Sequence, residues 1–80
     1  MISATAFRTW LYSSPVGSEL VYFTGNLSED SDPSKSVNRS TLLMSLLDEI
    51  LYAKKMGLIR LRQTPLPAKG CYQHIAVRIA

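Results

Sequence analysis

The stretch VNRSTLLMSLLDEILYAKKMGLIRLRQ, residues 37–63, decides the fold. Within it Leu42, Leu43, Leu46, Leu47, Ile50, Leu51 and Lys54 recur at spacings of three and four. That spacing lays a wide apolar stripe along a helix over about residues 37–56. Lys54 and Lys55 fall in the last turn, where cations complement the negative end of the helix dipole. Gly57 follows as a natural helix terminator, because glycine accepts the left-handed conformation without a Cβ clash. The period then drops from 3.6 to two: residues 58–63 alternate and read as a strand.

The flanks complete the pattern. Residues 72–79 alternate in the same way, giving a second strand. The connection from Thr64 to Cys71 holds Pro65 and Pro67 and is too long for a two-residue hairpin turn. Upstream, Glu19 to Thr24 is β-branched and aromatic and is closed by Gly25, which reads as a third strand. Its apolar residues on both parities imply cover on both faces near Tyr22. At the start, Phe7, Trp10 and Leu11 share one face of a helix over about residues 4–14, with Ser3 as N-cap and Ile2 set to pack on Phe7. Pro15 ends that helix. Residues 26–36 are rich in Ser, Asp and Asn and read as an acidic loop, with or without one helical turn. The expectation is a single α+β domain over residues 1–80, in the order α-β-α-β-β, with a small three-stranded antiparallel sheet packed on the long helix.

Composition narrows the function. Eighty residues allow one domain and little core to spare for a deep catalytic cleft. At 46% hydrophobic and 19% charged residues the chain has globular usage, which argues against wholesale disorder. No apolar run approaches the roughly 18 residues of a membrane span. Met1-Ile2 leads straight into polar residues without a basic-then-apolar leader. Cys71 is alone, which fits a reducing cytoplasm and a small residue opening a strand.

Charge is unevenly spread. Residues 1–53 carry net −3, and residues 54–80 carry net +6 with no acid at all. Alternation predicts Ile59, Leu61, Ile75, Val77 and Ile79 on the helix-facing side of the ribbon. It predicts Arg60, Arg62, Tyr72, His74 and Arg78 on the wet side, in one electropositive surface extended by Lys54, Lys55 and Lys69. Guanidinium groups bond phosphates bidentately and aromatic rings stack on bases, so this face suits a polyanion. The plain alternative is a solvated sheet face whose charges discourage pairing with other chains.

Catalytic patterns are missing. His74 is the only histidine and sits beside no nucleophile–carboxylate pair. Asp48 and Glu49 are adjacent on a helix and diverge by about 100°. Glu29, Asp30 and Asp32 lack the spacing of a calcium loop. No Gly-rich phosphate loop occurs. The expectation is a protein that is not an enzyme, with no cofactor and no metal.

The junction Ala53-Lys54-Lys55-Met56-Gly57-Leu58-Ile59 resembles the helix-to-wing step of winged-helix domains. More narrowly, four features resemble small uncharacterised proteins of bacteriophages and mobile elements. They are Tyr22-Phe23-Thr24-Gly25, Leu27 with Asp30, Gly57 to Leu61 with Gln63, and Tyr72 with Ala76 and Arg78. Phe23 departs from that pattern, which often has histidine there. The resemblance implies a winged-helix-like domain in the cytoplasm of a bacterial host, with the long helix and the wing near DNA.

Three functions follow as expectations. The first is a nucleic-acid-binding accessory or regulatory protein. It would use Lys54, Lys55, Arg60, Arg62, Lys69, Tyr72, His74 and Arg78, with Arg39, Thr41 and Ser45 as helix readout. The second is an inhibitor that masks a host protein complex, such as a defence complex, through the ribbon or through Glu29, Asp30 and Asp32. The third is a structural protomer of an assembly, a homodimer included, held by exposed parts of Trp10, Tyr12 and Tyr22.

Overall fold

A computed structural model describes residues 1–80. The element order is α1 (Ala4–Ser13), β1 (Glu19–Gly25), α2 (Leu27–Asp30), α3 (Val37–Lys55), β2 (Ile59–Pro65) and β3 (Tyr72–Arg78). The class is α+β with one three-stranded antiparallel sheet in the order β1-β3-β2. β3, the last strand in sequence, is therefore central, and β1 and β2 are both edges.

Side-chain caps set the helix starts. The Ser3 hydroxyl accepts from the Ala6 N–H at 3.0 Å, and the Ser36 hydroxyl from the Arg39 N–H at 3.2 Å. The acidic segment is not a plain loop. Asn26 caps a single helical turn, its side-chain oxygen accepting from the Glu29 N–H at 3.2 Å. That turn is tied to α3 by the buried Ser40 hydroxyl, which donates to the Ser31 carbonyl at 2.7 Å.

The core lies between the helices and one face of the sheet. Phe7 and Leu11 of α1 meet Leu43, Leu46, Ile50 and Ala53 of α3 above Ile59, Ala76, Tyr22 and Phe23. Burying each large side chain contributes about 1.5–3 kcal/mol, before chain entropy opposes it. The stripe on α3 is narrower than its sequence implies. Leu42 and Leu51 remain 61% and 55% exposed, while Ser40 and Ala53 are inside. The expected two-faced cover at β1 is corrected as well. A bulge between Val21 and Phe23 inserts an extra residue, so Tyr22 and Phe23 both join the core.

Gly25 ends β1 at φ +139°, a conformation available essentially to glycine alone. A Cβ there would stand 3.2 Å from a carboxylate oxygen of Asp30 and 3.4 Å from the Phe23 ring. Gly25→Ala is expected to cost about 1–3 kcal/mol and to lower Tm by roughly 5–15 °C in a thermal melt. An unchanged Tm would contradict this.

Candidate functional site

The register of the ribbon decides where its cations stand. Residues paired across an antiparallel ladder share a face. Ile59 pairs with Arg78, Leu61 with Ala76, Gln63 with His74 and Pro65 with Tyr72, and this set faces the helices. Arg60 pairs with Val77 and Arg62 with Ile75 on the outer face, where Glu19 and Val21 of β1 complete the rows.

The sequence reading of β2 is therefore kept and that of β3 is reversed. Tyr72, His74 and Arg78 are on the inner side, Ile75 and Val77 on the outer, and Ile79 lies beyond the strand and is exposed. The physical reason is twofold. Ala76 is fully buried in the core cluster, so its parity of β3 faces the helices. Ile75 and Val77 are 4% and 8% exposed without a helix above them, because a central strand is flanked by side chains on both sides. One of those neighbours is Arg62, which bonds Glu19 diagonally across β3, so its long stem shields apolar surface.

No single electropositive face results. Arg62 is paired with Glu19, and Arg39 with Asp30 at 3.3 Å. Arg78 donates to the Ala80 carbonyl, and its Nε is buried without a partner. Lys54, Lys55 and Arg60 remain exposed and unpaired around the turn from α3 into β2. Lys69 is also exposed but lies at the other end of the ribbon, next to Gly70, where an added Cβ would stand 3.0 Å from the Asn26 side chain of the α2 cap. The seven residues of β2 put these two ends about 20 Å apart.

His74 is the largest departure from expectation. It is 6% exposed, with ring centroids 5.5 Å from Phe23, 6.1 Å from Tyr22 and 6.2 Å from Tyr72. Its Nε2 has no hydrogen-bond partner. Burial pushes the imidazole pKa below its ordinary 6.5, so the ring is neutral at physiological pH and offers no charge to a phosphate. Tyr72, half-buried against it, is no free stacking platform either.

Of the other candidates, Thr41 and Ser45 are exposed on α3. Asp32 accepts from the Ser34 N–H and hydroxyl at 2.9 and 2.8 Å, which holds its carboxyl below the usual range. With Asp30 engaged by Arg39, Glu29 is the one acid of that cluster left unpaired. Tyr22 is buried and cannot serve an assembly contact, Trp10 is half-buried, and Tyr12 is open. No helix is long and apolar enough to cross a membrane.

A cleft of about 420 Å³ opens between α3 and β2. Leu47, Ile50 and Leu51 form the helix wall, and Leu61, Arg62 and Gln63 the strand wall. Tyr22 and His74 contribute from the sheet and Leu27 closes the α2 end. Sequence reading missed this feature. Its one signal was a stripe on α3 wider than a three-stranded sheet covers, leaving Leu51 over. No family model, curated protein or solved structure matches the chain.

Proposed function

We propose that the chain is a non-enzymatic, winged-helix-like nucleic-acid-binding accessory or regulatory protein of a bacteriophage or mobile element, acting in the cytoplasm of its bacterial host. The element order α-β-α-α-β-β, with the β2–β3 hairpin leaving the end of α3 as a wing would, supports the architecture. The observation that carries the function is the uncompensated cluster Lys54, Lys55 and Arg60 at the helix-to-wing junction, in the last third of the chain, residues 54–80, which has no acid. These cations, with Lys69 at the wing tip, grip phosphates and position the chain on a duplex. α2 is a single turn and α3 presents Asp48 outward, so base readout is a minor part of the affinity.

Four free cations set a modest scale. The slope of log K against log salt for duplex DNA is expected at about −3 to −4. Lys54→Glu with Lys55→Glu is expected to abolish binding in a fluorescence anisotropy titration at two salt concentrations, with the fold intact by circular dichroism. Binding that ignores both salt and those substitutions would overturn the reading.

A second reading, the masking of a host protein complex, is favoured by one specific observation: the apolar cleft beside β2, which phosphates and bases do not call for.

A further inference from the structure

We propose that the cleft between α3 and the free edge of β2 is a docking site for an extended, acidic segment of a partner protein, which adds to the sheet as a fourth strand beside β2. The proposal rests on the second reading above and not on nucleic-acid binding.

Three observations carry it. The first is where the cleft runs. Leu61 and Gln63 face inward and Arg62 outward, yet all three line the same cleft. Lining from both faces means that the cleft follows the strand edge. β2 has a neighbour on one side only, so alternate backbone N–H and C=O groups along that edge are unpaired. An incoming strand satisfies them and drops every second side chain into the cleft.

The second is the apolar wall. Leu51 is more than half exposed with Leu47 beside it, opposite Leu61. These groups receive apolar side chains and give the peptide a preferred register.

The third is charge, which selects the occupant. β2 carries no acid: its Arg60 is exposed and unpaired, its Arg62 lines the cleft with Glu19 already bonded to it, and Lys54 and Lys55 stand free at the end of α3 beside it. The nearby acids are committed or remote. Glu19 bonds Arg62 from across β3, Glu49 bonds Arg8 of α1, and Glu29 and Asp30 lie past Leu27 at the far end. Asp48 is exposed on α3, outside the lining of the cleft. A second copy pairing through the same edge would set arginines of both chains opposite or diagonal to one another, which is unfavourable. A strand bearing glutamates or aspartates on its outward parity turns the same charges into attraction.

The test uses the full chain and a synthetic decapeptide alternating phenylalanine or valine with glutamate. Its comparators are a lysine-for-glutamate version and a version N-methylated at alternate amides. Anisotropy and amide chemical shifts are read together. The glutamate peptide is expected to bind with shifts confined to residues 59–65, Leu47 and Leu51. The other two peptides are expected to bind at least roughly tenfold more weakly. Leu51→Ser, at an exposed position that leaves folding intact, is expected to weaken the glutamate peptide by roughly tenfold and to leave duplex binding unchanged. Equal binding of the N-methylated or the lysine peptide overturns the proposal. So does self-association that buries β2, protection of the β2 edge by an oligonucleotide, or no binding at millimolar peptide. Loss of duplex binding with peptide binding retained would sink the nucleic-acid reading alone.

Discussion

Phe23→Ala is expected to remove about 3–5 kcal/mol of stability. A chain of 80 residues has in total on the order of 4–12 kcal/mol, taking roughly 0.05–0.15 per residue. This one truncation therefore takes the protein to the edge of unfolding at 37 °C. Phe23 is 1% exposed and sits just past the β1 bulge, in contact range of the His74 ring and under the Gly25 turn. Its removal opens a void where an edge strand, the central strand and the α2 turn meet, and a bulged backbone with a positive-φ glycine two residues on has little freedom to collapse into it. Val21→Ala, two residues away on the outer face and 41% exposed, is expected to cost under about 1 kcal/mol. Urea unfolding followed by far-ultraviolet circular dichroism compares the two. A Phe23→Ala midpoint within error of Val21→Ala would mean that the bulge does not direct Phe23 into the core.

The same bulge shows which parts of the fold are legible in the residues. Local signals were enough for α1 and α3. Ser3 caps α1 where the sequence places it and Gly57 follows the last turn of α3, while the Ser36 cap of α3 is seen in the structure alone. Alternation was enough for β2, an edge strand with one helix-facing side. β3 was misphased because apolar-inward alternation assumes one wet face, and a central strand shielded by its neighbours has none. Ile75 and Val77 outweigh Ala76 on hydropathy, yet it is Ala76 that enters the core cluster beneath the helices. The extra residue at Tyr22 shifts parity without any local marker. The pairs Arg62–Glu19 and Arg8–Glu49 join positions 43 and 41 residues apart, so the number of free cations was beyond a local reading. Six basic residues in the last third of the chain were visible; that only four stand free was not. The cleft was equally hidden, since it depends on which edge of the sheet β3 leaves open.

His74 connects stability to pH, and the direction follows from its burial. The imidazole is enclosed by Phe23, Tyr22 and Tyr72 with Nε2 unpartnered, and desolvation lowers its pKa in the folded chain below the 6.5 of the unfolded one. Above pH 6.5 both states hold the ring neutral and its contribution to stability is complete. As pH falls below 6.5 the unfolded chain takes up a proton first, so stability declines through the interval down to the folded-state pKa and is constant below it. The shifted carboxyl of Asp32 works in a lower window, since its pKa starts at 3.8 and is depressed further by Ser34. The interval below 6.5 thus reports on the histidine. His74→Leu keeps an apolar group of similar size among the aromatic rings, removes the proton, and removes the orphaned nitrogen. The variant is expected to flatten the decline below pH 6.5 and, by removing the unpartnered Nε2, to be more stable than the natural chain by on the order of 1–3 kcal/mol, the usual penalty of a buried polar group without a partner. Urea midpoints at several pH values for both chains measure it. A natural chain equally stable across that interval, or a leucine variant that keeps the decline, would place the titrating group elsewhere and the imidazole in water.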